Sequence, residues 1–232
     1  MTYLRLLSAV GLLAAAACSQ TDSDGVLTTA VHANFTLSAK GDGTSLASGT
    51  LRVGGSDSLN YLNLVGDDRL TATIDGTERA MGEVELLDVI SYTATFDEDA
   101  ADTAVTFALE RSIDAGAPSS TVTLPAPFTA QGPASGSRGE DLQITFSAAS
   151  QDPMAWEVHG PCVTAAQGTV PTAAESVTIG ADMIVAVGGQ EAETCDIEVT
   201  VTATRQGTLD PAFEGGTIVG EQARTVTVSS TP

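Results

Sequence analysis

The chain has 232 residues, of which 30 are acidic and 9 basic, giving a formal net charge of −21 at neutral pH with only 4% aromatic residues. So negative a surface repels nucleic acid and bare anionic lipid, which excludes both as partners. With an export signal set aside at the start, about 210 residues remain, enough for two ordinary domains that each bury a core.

The chain opens with a positive charge at Arg5 and an uncharged run from Leu6 to Ala17, then Cys18 and the polar Ser19, Gln20 and Thr21. This order is a signal-peptide layout. The apolar run of roughly twelve residues falls short of the about twenty that a membrane-spanning helix needs, so residues 1–17 are expected to be cleaved off. No second long apolar run follows.

The tetrapeptide Ala15-Ala16-Ala17-Cys18 resembles the lipobox of bacterial lipoproteins, in which small residues precede a cysteine that is acylated before cleavage. Ala15 stands where that family more often has leucine. The resemblance implies that Cys18 becomes the mature N-terminus and carries acyl chains such as palmitate. Ser19, not being aspartate, implies by the same resemblance a cell-envelope address at the outer rather than the inner membrane. A plain secretory signal is the alternative, but lipidation accounts better for the odd cysteine.

Residues 18–25, rich in Ser, Asp, Thr and Gly, read as a lipidated N-terminus followed by a flexible tether. From Val26 onward the pattern is all-β. Val31, Ala33, Phe35 and Leu37 alternate with His32, Asn34, Thr36 and Ser38, as in a half-buried strand. Further strands are expected at Leu51 with Val53, around Leu59 to Leu64, at Leu70 to Ile74, at Glu83 to Phe96 and at Ala104 to Leu109. Asp75-Gly76 lies between alternating stretches and predicts a tight hairpin. Asp97, Asp99 and Asp102 cluster after a strand, and oxygen donors of this kind suit calcium, although the spacing is not that of an EF-hand. A solvated acidic loop is the plainer reading.

Ala115-Gly116-Ala117-Pro118 marks a boundary, giving a first β-sandwich domain over 26–117 and a second over 118–232. Leu142, Ile144 and Phe146 form one side of a strand, as do Trp156 with Val158, and Cys195, Ile197, Val199, Val201 and Ala203. With Cys18 taken by lipid, Cys162 and Cys195 remain as an even pair in an exported chain, and a disulfide is expected. It closes a loop of about 33 residues and contributes on the order of 3 to 4 kcal/mol. The parity of its strand turns Cys195 inward, and the bond is expected on the core beside the Trp156 indole.

The run Leu124-Pro125-Ala126-Pro127-Phe128, the loop through Gly132-Pro133 and the strand ending Ile144-Thr145-Phe146-Ser147 resemble the opening strands of bacterial immunoglobulin-like domains. The resemblance covers about 119–230 and departs from antibody-type domains because Trp156 precedes Cys162. It implies an immunoglobulin-like sandwich. The tail from Arg205 to Val228 reads as two strands joined by a long connection in which Phe213 is a candidate contact residue, although an aromatic folding back onto its own domain is the commoner arrangement.

Catalytic patterns are missing from the sequence. His32 and His159 stand alone on polar strand faces, with no zinc-type spacing and no Gly-x-Ser-x-Gly elbow. Val53-Gly54-Gly55 and Glu214-Gly215-Gly216 lack the ending of a phosphate loop, so no nucleotide is expected. The expected protein is a non-catalytic envelope lipoprotein acting as a surface binding or structural module, with an envelope protein or a glycan as partner where it binds. A surface hydrolase assembled only in the fold and a calcium-steadied adhesin are the alternatives.

Overall fold

The computed structural model describes residues 19–147 and 151–232, so the expected signal peptide and Cys18 lie outside the described residues. The first half runs through β1 (Ser19–Asp22), β2 (Val31–Ala39), β3 (Ser45–Val53), β4 (Asn60–Asn63), β5 (Arg69–Ile74), β6 (Thr77–Ala80), β7 (Gly82–Leu86), β8 (Val89–Phe96), β9 (Ala104–Glu110) and β10 (Ala117–Thr123). The second adds β11 (Ala130–Gln131), β12 (Ser135–Ser137), β13 (Leu142–Phe146), β14 (Met154–Gly160), β15 (Val163–Val170), β16 (Ser176–Ile179), β17 (Cys195–Gln206) and β18 (Gly215–Thr231). The described residues contain no α-helix, in keeping with alternation at period two and frequent Gly, Asp and Pro turns.

One eleven-stranded sheet spans the molecule in the order β1-β4-β3-β2-β18-β17-β14-β15, with β7, β8 and β12 attached at its sides. The four-stranded sheet β10-β9-β5-β6 covers one end of it and the three-stranded sheet β11-β13-β16 covers the other, so two sandwiches share one long sheet. Most pairs are antiparallel, but β1 with β4, β12 with β18, and β18 with β2 are parallel. The seam at β18 needs glycine: Gly216 has φ +136°, and a Cβ there would fall on the Ala33 carbonyl oxygen.

Each sandwich has its own core. In the first, Phe35 stacks on Phe107 at 4.8 Å between ring centroids, and Phe213 meets Phe35 edge-on at 5.8 Å. In the second, Trp156 lies over Gly168, where a Cβ would come within 2.6 Å of the indole. The cores do not divide at residue 117. Val122, Leu124, Phe213 and Ile218 all belong to the first, because β10 and the start of β18 close over it.

The expected alternation holds in β2, which buries Val31, Ala33, Phe35 and Leu37. Asp75 and Gly76, with φ of 48° and 77°, form the hairpin between β5 and β6. The stretch from Glu83 to Phe96 is two strands rather than one, because Leu87 and Asp88 turn the chain back with φ of 52° and 63°. Leucine is a poor signal for positive φ, so this turn was hidden in the sequence.

No flexible tether follows residue 18. Ser19 opens β1, its N–H donating to the Leu59 carbonyl at 3.1 Å, and the short polar side chains of the segment bond to β4 and the residues after it. The Asn63 amide donates to Asp22, and Ser23, fully buried, accepts from the Val65 N–H.

Candidate functional site

Two adjoining depressions lie on the outer face of the shared sheet. The alternation that sends Trp156, Val158, Val199 and Val201 into the second core turns Glu157, Glu198, Thr200 and Thr202 outward. Pairing then sets Glu157 opposite Thr200, Thr200 opposite Thr225, and Glu221 between Thr204 and Ser38. A depression of about 490 Å³ is lined by Glu157, Gln167, Thr200, Thr202 and Glu221. Its neighbour, about 600 Å³, adds Ser38, Lys40, Glu198 and Thr225.

This face is acidic and rich in hydroxyls. Burial, and then the negative charge of Glu157, push the Glu221 carboxyl above the usual range. Thr200 and Thr225 hydroxyls pair at 2.9 Å, holding the two strands' side chains in register. Such a surface accepts hydrogen bonds and attracts cationic or hydroxyl-bearing groups. On this face His159 lies 3.4 Å from Glu157, with both side chains exposed.

The acidic loop residues do not converge. Asp97 faces Arg79 at 3.4 Å, Asp99 accepts from the Gly43 N–H at 2.9 Å, and Asp102 pairs with Arg205 at 2.6 Å. Among the described residues no group of three His, Cys, Asp or Glu side chains is placed to hold a metal ion. Arg205 also grips Asp152 through two hydrogen bonds, of 2.9 and 2.8 Å, and so ties the loop before β9 to the second half.

Phe213 is not a surface contact. It is 6% exposed, since the connection before β18 folds back through Asp210, whose carboxylate accepts from the Ser119 N–H at 2.9 Å and hydroxyl at 2.6 Å. Cys162 and Cys195 form the expected disulfide, with Cα atoms 6.1 Å apart. Cys162 is buried but Cys195 only half-buried, and the bond does not lie beside the indole. Trp156 is opposite Val201, six positions along β17 from Cys195. Buried Arg138 lies against the bond instead, donating to Cys162 Sγ at 3.5 Å and to the Glu191 and Glu193 carbonyls at 2.9 and 2.8 Å.

A second charged cluster was not foreseen. Arg111 and Asp68 form a fully buried ion pair at 2.7 Å, and Arg111 also donates to the Ser23 and Val26 carbonyls at 2.6 and 2.8 Å. Burial acts to raise the Asp68 carboxyl. Hydrogen bonds from the Ser112 N–H, the Ser23 and Ser112 hydroxyls and Arg111 outweigh it and hold the group at about 2.

No protein-family model matches the chain, and no curated protein matches it either. Among solved structures it is similar to the FN1–FN3 domains of chicken CNTN1, at 9% identity and a TM-score of 0.28, covering 86% of this chain and 65% of that one. It is also similar to the adhesin InvE of Yersinia pseudotuberculosis, at 11% identity and a TM-score of 0.22, covering 87% and 59%. The chain thus spans less than two thirds of either.

Proposed function

We propose that this chain is a non-catalytic lipoprotein of the cell envelope, held at the outer membrane by acylated Cys18, and that it acts by surface contact through the outer face of its shared sheet. The observation that carries the contact role is that face itself, where Glu157, Glu198 and Glu221 stand among threonines over two adjoining depressions. A rigid sheet presents these groups at fixed spacing, so a partner pays little to order them. The chemistry suits an envelope protein carrying Lys or Arg, or a glycan whose hydroxyls donate to carboxylates.

The anchor is supported by the lipobox-like sequence and by a disulfide that fits an oxidising compartment. Two variants test the two parts. Cys18→Ala is expected to move the protein from the membrane to the soluble fraction, and retention by membranes in high salt would contradict the anchor. Cross-linked capture from the native cells is expected to return a reproducible partner that the combined Glu157→Gln, Glu198→Gln and Glu221→Gln variant loses. A partner held equally by both chains would remove the face from the account.

A further inference from the structure

The first half has two ends. One abuts the second core; the other is where β1 begins, and large aliphatic side chains collect there. Leu27 is 63% exposed, Leu59 47%, Leu86 71%, Leu87 84% and Ile113 67%.

Register brings these residues to one pole. Ser19 is level with Asn60, and Tyr61 with Arg52 near the end of β3, so the start of β1 and Leu59 lie at that end. β8 runs antiparallel to β3 with Tyr92 opposite Gly49, so the turn before it, Leu87-Asp88, points the same way. The Gln20 amide donates to Glu85 at 2.8 Å and ties β7 to β1. At the end of the four-stranded sheet where β9 finishes, the Thr28 N–H donates to Asp114 at 2.7 Å, which brings the segment holding Leu27 to the one holding Ile113. The opposite end of that sheet, near Asp102 and Thr123, is the one that Arg205 joins to the second half.

We infer that this pole, with Leu27, Leu59, Leu86, Leu87 and Ile113, seats in the interfacial layer of a lipid bilayer beside the acyl chains on Cys18. The inference rests on the lipoprotein reading. If Cys18 is acylated, the bilayer begins one residue before Ser19, and β1 leaves no slack through which the pole can stand off from the surface. Leu87 adds an independent indication. A leucine at φ +52° is strained where Asn or Gly would not be, and in water its side chain gains no packing in return. Contact with lipid supplies that return. The chain's charge of −21 selects a zwitterionic rather than an anionic surface.

The test couples the thiol of Cys18, in a chain beginning at that residue, to a maleimide phospholipid in phosphatidylcholine vesicles; Cys162 and Cys195 are occupied by their disulfide. Leu86→Trp is compared with the unsubstituted chain, whose buried Trp156 in the second core is the control. In vesicles of brominated phosphatidylcholine, the added indole of Leu86→Trp is expected to lose at least half its emission while Trp156 is unchanged. Equal emission with and without bromine would overturn the inference. So would shielding of that indole from aqueous acrylamide in a vesicle-free dimer, which would assign the pole to a second copy. Because the lipid is attached chemically, neither result depends on acylation in the cell. Failure of that reading would show separately, as unmodified Cys18 in protein extracted from native membranes.

Discussion

In the first half a buried ion pair, Arg111 with Asp68, ties the sandwich to the segment after β1, whereas in the second a covalent bond between Cys162 and Cys195 joins the ends of the neighbouring strands β14 and β17, with Arg138 beside it. The two solutions respond to different insults. A buried network holds only while every member is present and correctly charged, and it is indifferent to redox state. A disulfide is indifferent to acid but requires an oxidising compartment. The first half also fixes the segment just after β1, where Arg111 donates to the Ser23 and Val26 carbonyls.

Removing one partner of the buried pair is the most severe way to separate the halves. Arg111→Ala leaves Asp68 uncompensated and is expected to destabilise the first core by about 3 to 5 kcal/mol. Hydrogen exchange in β9 should report the loss, with a smaller change in the denaturant midpoint of Trp156 emission, since that indole belongs to the second core. Equal shifts at both would make the shared sheet one cooperative unit and erase the distinction.

Cys162→Ser with Cys195→Ser reverses the pattern. It is expected to cost about 2 to 4 kcal/mol, read first by Trp156, while β9 exchange changes little.

Acid sharpens the comparison further. The folded Asp68 carboxyl lies at about 2, below its ordinary 3.8, so its stabilisation is complete above the ordinary value and is lost as pH falls through about 2. The first core is expected to lose on the order of 2 kcal/mol across that window. Arg111→Ala should weaken the dependence only in part, since the Ser112 N–H and the Ser23 and Ser112 hydroxyls still bond the carboxylate.

The smallest expected effect has the opposite sign. The Glu221 carboxyl is raised, so its charged form weighs against folding above its folded pKa, and Glu221→Gln should raise the melting temperature at neutral pH by less than about 1 kcal/mol equivalent. If the face is a contact surface, the same change weakens partner capture. A variant both more stable and less adhesive is what a functional carboxylate gives.

Local patterns carried the sequence reading a long way. Alternation marked the buried sides of β2, β13, β14 and β17, and Asp75-Gly76 marked its hairpin, because these features depend on neighbours along the chain. Non-local pairing was illegible. Nothing in Val219 or Thr36 says that β18 runs parallel to β2, yet that pairing joins the halves and builds the face around Glu221. Glu157 and Thr200 were readable as outward residues, but not as neighbours. Phe213 was open in the sequence, because an aromatic in a long connection looks the same whether it folds inward or outward, and the structure takes the inward course. Arg111 and Asp68 lie 43 residues apart, with no local signal of burial.

The anchor is tested most directly by the mass of the N-terminal peptide of the protein extracted from its native membrane. A peptide that begins at Cys18 and carries acyl chains is the expected result. An unmodified cysteine, or a mature chain that begins elsewhere, would contradict the lipid anchor and leave the leucine-rich pole without its membrane.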